Sequence, residues 1–362
     1  MPPHASELLA RRRRLAEALA ARGAGALLVS APSNVRYLSG FTGDNAVLLV
    51  LPGQTTLFTD PRFSIQAAQQ VSCRVKICKG PLVEGVAAAV RKLVRVRIGY
   101  EPTRLTCAAF NALQSHLPMK ASLEPVQSLV EELRMVKSPS ELALIRRSVD
   151  LNSRAFSLAA ARVRPGMTER DLAAEIEYRM RRLGAEKPSF DTIVAAGRRS
   201  ALPHAEPTTA PLRTGQLVVI DMGTFVDGYA SDMTRMLFLG TPGARVKRVY
   251  AAVLEAQLAA IDAVRPGVPA FKVDAAARRV LRARGFERAF VHSTGHGLGL
   301  EIHEPPRLGK RDKTILQPGM AITIEPGVYL ENFGGIRIED TVEVTKTGCH
   351  ILTPTPKDLR VI

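Results

Sequence analysis

Short apolar runs of five to seven residues recur through the first third of the chain: GALLVS (25–30), NAVLLVL (45–51), QTTLFT (54–59) and VRIGY (96–100). Between them lie PRFSIQAAQQ (61–70) and LVEGVAAAVRKLV (82–94), which read as helices. Short strands alternating with helices predict an α/β domain over residues 1–130. Ahead of them, MPPHASELLARRRRLAEALAARGA reads as an amphipathic helix leading into the first strand. At SPSE, Ser138 can cap a helix, Pro139 can fill its first position, and Glu141 can complete a capping box. A long helix is expected from there, opening a second domain over residues 131–362.

That second domain repeats itself. VRPG at 163–166 recurs at 264–267, and the same offset of 101 pairs Ala174 with Ala275, Arg181 with Arg282 and Gly184 with Gly285. LRTGQLVVIDMG (212–223) lines up with LQPGMAITIEPG (316–327) at an offset of 104, which sets Asp221 against Glu325. Two blocks matched in the same order predict two related αβ halves. Each half ends an apolar strand in a carboxylate, and a second acid follows: Asp232 in SDMTR and Glu339 in IEDTV. His204 and His303 take comparable places, 14 and 13 residues after Phe190 and Phe290.

Between Asp221 and Asp232 lies VDGY, whose Asp227-Gly228 is a strong two-residue hairpin signal. With those two residues as the turn, Val226 faces Tyr229, Asp221 faces Thr234, and Asp221 and Asp232 share one face. In GIRIED, alternation puts Arg337 and Glu339 on one side and Ile336 and Ile338 on the other. Four carboxylates gathered by the duplication would repel one another unless cations neutralised them. Two divalent ions would do so, and one imidazole would complete a ligand set suited to Mn, Co, Fe or Zn. Three of the seven histidines, His292, His296 and His303, fall in VHSTGHGLGLEIHEPP, where glycines flank His296 on both sides.

Composition narrows the picture further. Apolar residues make up 46% and charged residues 23%, the balance of a soluble globular protein, and no apolar run approaches the roughly 18 residues of a membrane span. The arginine-rich start lacks the apolar core of a secretory signal, so a cytoplasmic location is expected. Four cysteines without a CxxC pair are expected to be reduced thiols. The net charge of +16 is spread over both domains, with RRRR at 11–14 the only dense run. It reads as a solvated surface and not as a nucleic-acid footprint.

IDMGTFVDGYASDMTR, STGHGLGLEIHEPP, TIEPGVYL and GIRIED together resemble the pita-bread metallopeptidases, and within them the Xaa-Pro aminopeptidase and prolidase branch. NVRYLSGFTGDNAVLLV and TLFTDPRF resemble that branch's N-terminal domain. The resemblance implies an α/β N-terminal domain before an α+β pita-bread catalytic domain with a pseudo-twofold duplication. It implies Asp221, Asp232, His296, Glu325 and Glu339 as ligands of two divalent metals, Mn²⁺ foremost and Co²⁺, Zn²⁺ or Fe²⁺ as alternatives. It further implies Asp232 and Glu339 as the bridging ligands, His204, His292 and His303 as substrate-facing donors, and Arg337 as steadying the bridging acid or a substrate carboxylate. Glu325 would shuttle the proton during hydrolysis, and Tyr329 falls near the metals.

The expected activity is aminopeptidase P-like cleavage of peptides with proline second, with the Xaa-Pro dipeptidase as the alternative and a homodimer as the expected assembly. A methionine aminopeptidase is disfavoured by the extra N-terminal domain, and a non-catalytic pita-bread binding module by the complete ligand set. No HExxH motif is present, which argues against a mononuclear zincin.

Overall fold

The computed structural model describes residues 5–93 and 96–362; residues 1–4 of the expected first helix and Val94 of a later helical stretch lie outside them. The chain divides between Arg134 and Met135 into two compact units.

In the first unit all four apolar runs become strands of one six-stranded sheet. Its order in space is Arg74–Ile77, Gln54–Thr59, Ala46–Leu51, Ala26–Val29, Val96–Tyr100 and Ala121–Pro125. The three middle strands pair antiparallel and the outer ones join in parallel. The two edge strands had no apolar signature, because an edge strand needs less apolar surface and theirs is largely exposed.

The RRRR run departs from its expected role. Arg13 and Arg14 are exposed, but Arg11 and Arg12 are buried on the inner face of the helix Ala5–Ala21. Arg11 donates to the Tyr37 carbonyl at 3.0 Å and stacks over the Tyr37 ring, and Arg12 donates to the Leu38 carbonyl at 2.8 Å. Both carbonyls belong to the last turn of the helix Pro32–Ser39, where helical partners run out and the dipole favours cations. Half of the basic run is therefore internal structure.

The second unit opens as expected. Ser138 Oγ accepts from the Glu141 amide, the Glu141 carboxylate accepts from the Ser138 amide, and the helix Pro139–Ala160 follows. It pairs with the helix Glu169–Leu183, as Ala244–Ala263 pairs with Ala270–Ala283 in the other half. Each half also holds a sheet: Arg360–Val361, Met233–Phe238, Leu217–Met222, Ile193–Ala196 in one, and Glu304–Leu308, Gly295–Gly297, Ala321–Ile324, Asp340–Val344, Cys349–Ile351 in the other. Both VRPG turns carry their glycine in the left-handed region, Gly166 at φ 89° and Gly267 at φ 84°.

The core explains why the site-bearing strands read as unbroken apolar runs. Val218, Ile220 and Met222 pack on the first helix pair, whereas Leu217 and Val219 join a core shared with Val253, Val273, Ile322 and Ile338 of the second half. A strand covered on both faces has no polar side to show. Asp221 continues the face of Leu217 and Val219 and is thereby aimed at the second half. The described residues include no helix long and apolar enough to cross a membrane, and the four cysteines are free thiols.

The buried arginines set a test. Replacing Arg11 with Ala leaves a buried carbonyl without its donor and is expected to destabilise the protein by about 1–3 kcal/mol in denaturant titration. Arg13→Ala and Arg14→Ala, on the exposed face, are expected to stay within about 0.5 kcal/mol. Equal effects at all three positions would contradict the assignment.

Candidate metal centre and active site

The hairpin that carries the first two acids keeps the register expected of it. Val226 pairs with Tyr229 and Asp221 with Thr234, around Asp227 and Gly228 at φ 49° and 79°. Positive φ at both central residues is the type I′ geometry whose twist matches that of the flanking strands. In the second half the hairpin Gly327–Leu330 and Gly334–Arg337 takes the corresponding place. Ile336 and Ile338 go into the core, and Arg337 and Glu339 go into the cavity.

The strand pairing also shows where the two halves differ. Ala196 pairs with Val218 and Gly297 with Ile322, so His296 stands where the first half has the core residue Ala195. The glycines beside His296 are there for close approach. A Cβ on Gly295 would sit 1.9 Å from the Thr323 carbonyl, and one on Gly297 would sit 2.3 Å from that of Pro305.

Asp221, Asp232, His296, Glu325 and Glu339 all line one cavity of about 790 Å³. Ligand-type atoms of Asp232, His296 and Glu339 lie within 4.8 Å of one another. His296 Nε2 is 3.4 Å from Glu325 Oε1 and 3.5 Å from Asp232 Oδ2. His296 Nδ1 lies 3.0 Å from the Gly297 carbonyl, an acceptor that holds the proton on that nitrogen and turns the Nε2 lone pair toward the acids. Burial lowers the imidazole's pKa, which keeps it neutral. Burial, followed by the charge of neighbouring acids, raises the carboxyls of Asp232 and Glu339 well above their usual range. Burial also pushes Glu325 up to about 7.

Acceptors thus face acceptors at van der Waals range. Asp221 Oδ1 and Glu339 Oε1 are buried and have no hydrogen-bond partner among the described residues. Orphaned carboxylate oxygens and an imidazole lone pair converging on one space fit divalent cations of the O/N-preferring kind.

The remaining donors around the acids are protein groups. Arg337 Nη2 donates to Asp221 Oδ2 at 2.6 Å, its Nε to Thr234 Oγ1 at 3.0 Å, and its Nη1 to the Tyr329 hydroxyl at 2.6 Å. Thr234 Oγ1 in turn donates to Glu339 Oε2 at 2.7 Å, and Thr323 Oγ1 to Glu325 Oε1 at 3.3 Å. Thr234 and Thr323 were not among the residues read from the sequence, although the expected hairpin register had already set Thr234 opposite Asp221.

Each guanidinium nitrogen of Arg337 has a protein partner, and the acid it meets is Asp221. His292 lines the cavity, but both ring nitrogens are engaged, Nδ1 with the Ser293 carbonyl and Nε2 with the Tyr329 hydroxyl, each at 2.8 Å. Burial, with Arg337 second, lowers its pKa to about 4.

His204 and His303 instead stand exposed on the cavity wall. The His303 ring meets that of His296 edge-on with centroids 4.4 Å apart. Desolvation, with His296 second, lowers His303 to about 4, so near neutral pH its ring is uncharged and carries a single N–H. The sequence reading missed Arg307, four residues beyond His303 in HEPPR. It is exposed on the cavity wall, with Nε 3.3 Å from Ser293 Oγ.

The profile of metallopeptidase family M24 matches residues 143–346, and that of the creatinase/prolidase N-terminal domain matches residues 11–136. An Xaa-Pro dipeptidase of Pyrococcus furiosus is 35% identical over 333 residues, 92% of this chain and 94% of the relative. Among solved structures, an Xaa-Pro dipeptidase from Bacillus anthracis superposes with a TM-score of 0.95 at 36% identity, covering 98% of this chain and all of that one. An X-Pro aminopeptidase from Thermotoga maritima MSB8 gives 0.90 at 36% identity, covering 97% and 100%.

The acid cluster makes a pH prediction for the metal-free protein. Glu325 has a folded-state pKa of about 7 against an ordinary 4.5, so between those values the native state holds a proton that the unfolded state has lost. Its contribution to stability therefore falls as pH rises through that window. Glu325→Gln removes this term, so the variant is expected to gain on the wild type from pH 4.5 to 7, on the order of 2 kcal/mol. Paired thermal melts in chelator measure it. A gain that shrinks with rising pH would contradict the burial of this acid.

Proposed function

The chain belongs to metallopeptidase family M24, and on that footing we propose that it is an Xaa-Pro dipeptidase, hydrolysing the bond between a first residue and the proline after it. The observation that carries this is the convergence of buried acids and the His296 lone pair in a cavity that has an exposed cation, Arg307, on its wall. The sequence reading put the aminopeptidase first. The recurrence of Xaa-Pro dipeptidases among the relatives supports the reverse order. The aminopeptidase is the second reading, favoured by the likeness to the Thermotoga enzyme.

Asp221, Asp232, His296, Glu325 and Glu339 would hold two divalent cations, Mn²⁺ first among them, with four negative charges met by four positive ones. Bound there, the cations supply Lewis acidity and a nucleophilic water near neutral pH. The chain's own groups do the rest. His303 and His204 donate N–H to the scissile carbonyl oxygen as negative charge develops on it. Glu325 accepts the proton of the attacking water and returns it to the prolyl nitrogen as the C–N bond breaks. That nitrogen belongs to a tertiary amide with no N–H, so the ring's bulk and the missing donor are the features a site can recognise. The Arg307 guanidinium is the group for the free carboxylate of the dipeptide, and the same charge draws that end of the substrate away from the acids.

With added Mn²⁺, kcat/KM for Xaa-Pro is expected to exceed that for Xaa-Ala by at least about tenfold, and to exceed that for Xaa-Pro-Ala likewise. His303→Ala is expected to keep its metal and lose roughly 10²-fold in kcat. Arg307→Gln is expected to raise KM for the dipeptide with a smaller change in kcat. Equal turnover of the alanine dipeptide would refute the proline assignment. Faster cleavage of Xaa-Pro-Ala than of Xaa-Pro would favour the aminopeptidase.

A further inference from the structure

The catalytic cavity does not end at Arg307. A second groove of about 500 Å³ adjoins it, and His292, Ser293, Arg307 and Asp312 line both. Its further wall carries Lys310 and Arg311, both exposed and without an ion pair among the described residues. The other charges in this groove are already matched. Arg278 is paired with the buried Asp274 at 2.7 Å, and the Asp312 oxygens each accept a backbone amide at 2.8 Å, from Arg307 and Thr314. Three exposed cations therefore face one carboxylate across a space continuous with the active site.

Direction along the substrate follows from charge. The clustered acids line the cavity alone, whereas Arg307 lines both cavity and groove, so the carboxyl end of a bound peptide is drawn toward the groove. One more residue beyond the proline adds up to about 3.6 Å of chain and carries the terminal carboxylate past Arg307 toward Lys310 and Arg311.

We infer that this groove is a subsite for an acidic residue after the proline, so that the enzyme also accepts acidic tripeptides, Xaa-Pro-Asp or Xaa-Pro-Glu, over neutral or basic ones. This rests on the dipeptidase reading and widens its substrate class. An acidic third residue brings two carboxylates to three cations, whereas a basic one brings a like charge into the groove. Exposed charges act at short range in salt, so the preference is electrostatic and salt-sensitive.

The test uses the full-length, Mn²⁺-loaded enzyme and compares kcat/KM for Xaa-Pro-Asp and Xaa-Pro-Lys, with Xaa-Pro as reference. At low ionic strength the acidic tripeptide is expected to be favoured at least about tenfold, and the ratio to fall toward unity in about 0.5 M salt. In Lys310→Gln/Arg311→Gln the ratio is expected to drop to within about twofold of unity. Both positions are exposed, so the variant is expected to fold, which its melting temperature checks. A ratio near unity in the wild type, a ratio kept by the variant, or no tripeptide cleavage beside active Xaa-Pro hydrolysis each overturns the subsite alone. Failure to cleave Xaa-Pro overturns the dipeptidase reading, and the subsite with it.

Discussion

Four carboxylates and one imidazole lone pair held in a buried cleft are the constraint around which the catalytic unit is built. Such a group of acceptors is repulsive by itself, and burial raises the cost of each charge. The raised carboxyl values of Asp232, Glu325 and Glu339 express that cost. The duplication brings the groups together, because each half ends a core strand in an acid and follows it with another. Bound cations would offset that repulsion, since metal ligands must be deprotonated to bind.

The scaffold keeps these acids from moving apart. Strands covered on both faces leave no soft side, and Arg337 supplies a fixed cation at Asp221. Behind the site, buried Arg235 donates to the Thr234 carbonyl at 3.0 Å, to Asp340 Oδ1 at 2.7 Å and to the Pro356 carbonyl at 2.9 Å. It thereby ties the strand after Asp232 to the strand after Glu339, the two acids from opposite halves. Gln257 completes Asp340 from the helix side at 2.8 Å. A buried ion pair of this kind is weak evidence for net stability, but its geometry joins the halves where the chemistry needs them joined.

Much of this was legible in the sequence because it rests on local rules. The Asp227-Gly228 turn sets the register that puts Asp221 opposite Thr234, and two-residue alternation divides Arg337 and Glu339 from Ile336 and Ile338. The glycines beside His296 announce a close approach that the Thr323 and Pro305 carbonyls account for. What escaped the sequence depends on partners far along the chain. Arg11 and Arg12 look like surface charge until the Tyr37 and Leu38 carbonyls come beneath them. The contact of His292 with the Tyr329 hydroxyl joins residues 37 apart in the chain, and Arg307 gains meaning only as the exposed cation on the cavity wall. Edge strands such as Arg74–Ile77, lacking apolar demand, left no pattern to read.

The central claim is that this cluster exists to hold two divalent cations, and calorimetric titration of chelator-stripped protein with Mn²⁺ tests it most directly. The account predicts two ions per chain, with proton release that grows as the buried carboxyls start out more protonated at lower pH, and loss of at least one ion in Asp232→Asn and in Glu339→Gln. Binding of no metal by the wild type, or unchanged stoichiometry and affinity in both variants, would contradict it.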